Sequence, residues 1–196
     1  MKTRKGFTLL ELLIVIGILA ILSTTVVLVI NPAELLRKAR DAQRISDLNT
    51  MKTAIAYFMT EDSDPGSNMG TVNTSYSHLA TTDCKAANAT GDQTPTTAGW
   101  IPIPFNTMPG GSPIGSLPAD PNPTDVDAVP GRYYVYLVNT SDITFQLIAN
   151  MESDYYSKDG AGDVESTDGG SFDSLYEVGT DMDLLTATAS SCFAGS

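Results

Sequence analysis

From Phe7 to Val29 nearly every position is apolar, and the run contains one charge, Glu11. After Asn31-Pro32 the pattern becomes periodic. Leu35, Ala39, Ala42, Ile45, Leu48, Met51, Ile55 and Phe58 recur every three or four residues, the spacing of one helix face. Phe7 to about Thr60 therefore reads as a long helix, apolar all round in its first half and amphipathic in its second. The middle is weak. Thr24, Thr25, Val26, Val27, Val29 and Ile30 are β-branched and lose side-chain freedom in a helix. Pro32 removes an N–H and crowds the carbonyl of Leu28, so the spacing predicts a bend or melting between Ser23 and Asn31.

The apolar stripe of the second half has one ordinary use, packing on a sheet. Arg37, Arg40, Asp41, Arg44, Asp47 and Lys52 fall largely on the other faces and read as solvated, with some pairing between subunits. The helix stops at the turn-rich Asp62–Gly70, and a Thr/Ser/Asn/Gly-rich loop follows to about Gly99, with a short helix expected near Tyr76 to Ala80. Trp100-Ile101-Pro102-Ile103-Pro104-Phe105 reads as an extended edge segment over the core. Arg132–Asn139 and Ile143–Met151 are strands joined by a turn at Asn139–Asp142. In the second, Ile143, Phe145, Leu147 and Ala149 share a face. Leu175–Gly179, with Leu184–Thr186, supplies a last short strand.

Charge sharpens this picture. The net charge is -12, and it is unevenly spread. Lys2, Arg4 and Lys5 precede the apolar run, and five more cations lie between Arg37 and Lys52. All but four of the acidic residues lie from Glu61 onward. An acidic head argues against direct nucleic-acid binding. The leading cations place the N-terminus in the cytoplasm and export the remainder. The uncharged run from Leu12 to Ala33 reaches about 33 Å, enough to cross a bilayer. A plain single-pass anchor would have this length. A secretory signal peptide would have a shorter apolar core and a cleavage site after it, and neither is present. Both readings leave Gly6, Phe7 and Glu11 unexplained.

Lys5-Gly6-Phe7-Thr8-Leu9-Leu10-Glu11 resembles the class III leader of type IV pilins and their pseudopilin relatives. The resemblance implies an α+β, pilin-like fold: a long N-terminal helix packed on a small antiparallel β-sheet. It divides the chain into a leader (1–6), a transmembrane and assembly helix (7–32), an amphipathic helix (33–60) and a head of loops and sheet (61–196). It further implies cleavage between Gly6 and Phe7 and N-methylation of Phe7 by a prepilin peptidase. Glu11, fifth in the mature chain, is expected to meet the N-terminal amine of a neighbouring subunit during assembly. The helix break at Pro32 belongs to the same pattern. The implied partners are further copies in a helical filament, the peptidase, an inner-membrane assembly platform, and membrane lipid before assembly. The implied destination is an extracellular fibre or a periplasmic pseudopilus. Leu117-Pro118-Ala119-Asp120-Pro121 before a Tyr-rich strand resembles the head of type II secretion major pseudopilins. A membrane-anchored binding module that never polymerises is the reading from another class.

Candidate chemistry is sparse. The single histidine, His78, sits in a polar stretch and reads as solvated; no nucleophile–base set assembles around it, and the expectation is that the chain is no enzyme. Cys84 and Cys192 form an even pair. In an exported domain such a pair is more often bridged than free, and the resemblance supports a bridge, two free thiols being the alternative. Asp163, Asp168 and Asp173 lie in a Gly/Asp-rich loop that offers hard oxygens to Ca2+, as major pseudopilins often do. A solvated acidic turn is the competing reading.

Overall fold

The computed structural model describes residues 6–72, 74–79, 92–123 and 132–184, the side chains of 27–30 excepted. It divides into two compact units, Met1–Arg37 and Lys38–Ser196.

In the first unit, α1 runs from Leu9 to Ile30. The expected melting from Ser23 onward does not occur. Ser23 Oγ donates to the Leu19 carbonyl at 2.7 Å, Thr24 Oγ1 to Ala20 at 2.9 Å and Thr25 Oγ1 to Leu22 at 2.8 Å, so each hydroxyl is satisfied on its own helix. The break is confined to Asn31, at φ 44° and ψ 76° in the left-handed region that Asn tolerates. Pro32 then opens α2, Pro32–Glu61, at the first helical position, where its missing N–H costs nothing. Asn31 serves both helices: its carbonyl accepts the N–H of Glu34 at 3.1 Å and of Leu35 at 3.3 Å.

The second unit is built on a four-stranded antiparallel sheet in chain order: β1 Thr74–Ser77, β2 Val135–Asn139, β3 Thr144–Ala149 and β4 Tyr176–Gly179. A four-residue helix, α3, spans Pro65–Asn68. The register pairs Tyr76 with Tyr136, Tyr136 with Leu147, and Leu147 with Val178. This inner row meets Leu48, Met51, Ala54, Ile55 and Phe58 of α2 in one buried cluster. Leu35, Ala39 and Ala42 of the expected stripe are exposed, so the packed face begins nearer the middle of α2. The opposite sheet face is covered as well: Tyr133, Val135, Leu137, Ile148 and Leu175 form a second cluster, against which Leu79, Phe172 and Leu184 pack.

Three expectations are corrected here. Thr74–Ser77 is a strand, where a short helix was expected near Tyr76. Ser75 and Ser77 point into the covered outer face, so a strand with both faces buried carries serines where apolar residues would have revealed it. Ile143 belongs to the hairpin turn: it is exposed and sits at φ 54°, and β3 begins one residue later. Trp100–Phe105 covers the core as expected, with Trp100, Ile101, Ile103 and Phe105 fully buried. It joins no strand, ends in a 3-10 turn at Phe105–Thr107, and is pinned by Trp100 Nε1 donating to the Pro118 carbonyl at 2.9 Å. The turn itself is held by Asn139, whose side-chain oxygen accepts the N–H of Ser141 at 3.0 Å.

Candidate functional site

Gly6, Phe7 and Thr8 lie ahead of the first helical residue, and Phe7 is 85% exposed. Thr8 is the N-cap, extended at φ -82° and ψ 152°. Its hydroxyl accepts the Glu11 N–H at 3.2 Å. The Glu11 carboxylate reaches back to accept the Thr8 N–H and the Thr8 hydroxyl, each at 2.9 Å. This reciprocal pair is a capping box: it satisfies donors at the helix start that would otherwise have no partner. The isolated carboxylate that the apolar run could not accommodate is therefore met first by its own helix. Beyond it, Leu9–Val26 is long and apolar enough to cross a membrane, and none of it is buried against the protein.

Residues 1–27 match the family model described as the prokaryotic N-terminal methylation motif. That stretch is the class III prepilin leader found on type IV pilins and pseudopilins. No curated protein and no solved structure matches the chain. Within and beyond that motif, Gly6 and Phe7 stand exposed and non-helical, Glu11 stands in the first turn of α1, and Pro32 stands at the start of α2.

The second unit contains a polar cluster that the pattern of α2 concealed. Asp41 and Arg44, expected on solvated faces, are fully buried. Arg44 grips Asp120 with two bonds, Nε to Oδ2 and Nη2 to Oδ1, both 2.7 Å, and Asp41 Oδ1 through Nη1 at 2.6 Å. Asp41 also accepts the backbone N–H of Glu152 at 2.9 Å and of Ser153 at 2.7 Å. Glu152 binds Arg40 Nε at 2.7 Å, and the Arg40 hydrogen bonds hold its carboxyl down at about 2. Charge is met by charge throughout, as burial requires. The clamp ties α2 to the loops at 118–122 and 151–153. Of the basic residues on α2, Arg40 and Arg44 are thus engaged within this clamp, whereas Arg37 pairs with Glu34 and stays largely exposed. In the sequence, Asp41 and Arg44 appear only as an i, i+3 charge pair, which surface helices carry just as often.

His78 is also corrected. It is buried, with its ring centroid 6.0 Å from that of Trp100 and 5.7 Å from that of Tyr134. Its Nδ1 accepts the Tyr134 N–H at 3.4 Å, and burial pushes its pKa down to about 4.

The three loop aspartates are held apart by separate duties. Asp163 accepts from the Asp159 N–H and the Ser166 N–H, each at 3.0 Å. Asp168 accepts from the Gly170 N–H at 2.8 Å and the Glu177 N–H at 2.6 Å. Asp173 pairs with Lys158 Nζ at 2.8 Å. Among the described residues no group of three or more His, Cys, Asp or Glu is placed to hold a metal. The buried acids here are Glu165 in the loop and Glu177 on β4. Glu165 accepts the N–H of Met151 and of Lys158, Glu177 accepts from the Phe172 N–H and Gln146 Nε2, and burial pushes both carboxyls up to about 7. Cys84 and Cys192 lie outside the described residues.

Proposed function

We propose that this prepilin is a structural filament subunit. It is cleaved between Gly6 and Phe7, N-methylated at Phe7, and polymerised through α1 into a type IV pilus serving adhesion, motility or DNA uptake. One observation carries the reading: the methylation motif over residues 1–27 coincides with a membrane-length apolar helix, Leu9–Val26, that is exposed among the described residues. Such a helix is stable in lipid or against other copies, and export from one to the other exchanges apolar contacts for apolar contacts. The assembly platform and peptidase act from the inner membrane on the cytoplasmic leader.

A second reading rests on one specific segment. Leu117–Pro121, which delivers Asp120 to Arg44, has the pattern of major pseudopilin heads and favours a periplasmic pseudopilus of a type II secretion system. Intact-mass analysis of fibres sheared from cells, beside the membrane fraction, separates the two. A mass beginning at methylated Phe7 in the sheared fibres supports the pilus. The same mass confined to membranes supports the pseudopilus. An uncleaved chain in both fractions leaves a membrane anchor and overturns both.

A further inference from the structure

Only two residues, Phe7 and Thr8, lie between the bond to be cut and the start of α1 at Leu9. Gly6 and Phe7 are non-helical and exposed, and Thr8 is extended, because the helix closes on itself from Thr8 forward. The Thr8 hydroxyl both accepts the Glu11 N–H and donates to the Glu11 carboxylate, so the first turn needs nothing that precedes it. Without that hydroxyl, the first N–H groups of α1 would lose their side-chain cap, and the helix start would shift to the next residue able to cap it. The nearest other competent N-cap is Gly6. A helix begun there would take the Gly6 carbonyl as its first acceptor and draw the junction into its first turn. Inside a helical turn the backbone N–H and C=O groups of the junction would already be paired, and the turn would have to unwind before they could be reached.

We propose that Thr8 is a positioning residue for processing: its hydroxyl stops α1 two residues after the Gly6–Phe7 bond and keeps that bond extended for the peptidase. This role rests on the function proposed above. The Glu11 side chain contributes the reciprocal half only. In a Glu11→Ala chain the Thr8 hydroxyl still receives the N–H of residue 11, and the helix still starts at the same place.

The test uses the full chain in membranes with a prepilin peptidase, following cleavage and methylation by intact mass. It is joined by the carbon-13 Cα shift of labelled Phe7 in detergent micelles. Thr8→Ser keeps the cap and is expected to be cut within about two-fold of the wild-type rate. Thr8→Val keeps the shape and loses the hydroxyl; it is expected to be cut roughly three- to ten-fold more slowly, with the Phe7 shift moving to a helical value. Thr8→Val cut at the wild-type rate would overturn the role. So would slow cutting with an unmoved Phe7 shift, since the peptidase would then be reading the hydroxyl itself. A wild-type chain that stays whole would overturn the proposed function along with this role, whereas normal cutting of both wild type and Thr8→Val would overturn this role alone.

Discussion

Arg44 on α2 and Asp120 in the loop before β2, 76 positions apart, face each other as guanidinium and carboxylate through two 2.7 Å hydrogen bonds in a fully buried setting. Such a fork is the strongest geometry available to a charged pair. Removing one partner strands the other. Arg44→Met is expected to cost the head about 3–5 kcal/mol, because Asp41 and Asp120 remain buried without a cation. Asp120→Asn added to it is expected to recover part of the loss. Urea unfolding followed by the fluorescence of Trp100, the single tryptophan, measures both.

Glu11 carries a different expectation. Glu11→Ala is expected to leave cleavage after Gly6 largely intact and to abolish fibres, because the carboxylate that an incoming subunit's amine would meet is gone. Sheared-fibre yield and leader removal, measured on the same cells, check the two halves separately. Normal fibres from this variant would refute the assembly role.

Head stability is expected to depend on pH through groups that pull in opposite directions. Glu165 and Glu177 have folded pKa values raised from 4.5 to about 7, so their contribution is full below 4.5 and is lost as pH rises through 7. His78 is lowered from 6.5 to about 4, so its contribution is full above 6.5 and is lost as pH falls through 4. Melting temperatures measured from pH 4.5 to 8 separate them. In Glu177→Gln the fall in melting temperature toward pH 8 is expected to be shallower than in the wild type. In His78→Gln the fall toward pH 4.5 is expected to be shallower. Glu152, lowered from 4.5 to about 2, adds a loss only as pH drops from 4.5 through 2.

Ile143 occupies a left-handed conformation that a β-branched residue adopts at a cost, and it is exposed. Ile143→Asn is expected to stabilise the head by about 0.5–1 kcal/mol. An unchanged or lowered urea midpoint would count against the strain.

The parts of the fold carried by near neighbours were legible in the sequence. The apolar run, the hairpin around Asn139 and the Thr-x-x-Glu box at Thr8–Glu11 are all short-range patterns, although the box was read only as part of a processing motif and not as a cap. What stayed hidden depends on distant residues. Asp41 and Arg44 look like surface charges until Asp120 and Glu152 arrive from the loops. His78 looks solvated until Trp100 and Tyr134 close over it. β1 looks irregular because its outward serines are buried against residues far along the chain. The helix past Ser23 was underestimated for a local reason: its hydroxyls bond back to their own turns.

The Arg44–Asp120 clamp has a consequence for how copies of this chain meet in solution. Arg40 and Arg44 turn inward onto Glu152, Asp41 and Asp120, and Lys158 neutralises Asp173, so scarce cations are consumed at home. From Glu61 onward nineteen acidic residues stand against Lys85, Arg132 and Lys158, an excess of sixteen negative charges. Assemblies coated by such heads are polyanions that hold one another at arm's length. That repulsion fades beyond about 8 Å at physiological ionic strength, so added salt lets them lie closer side by side.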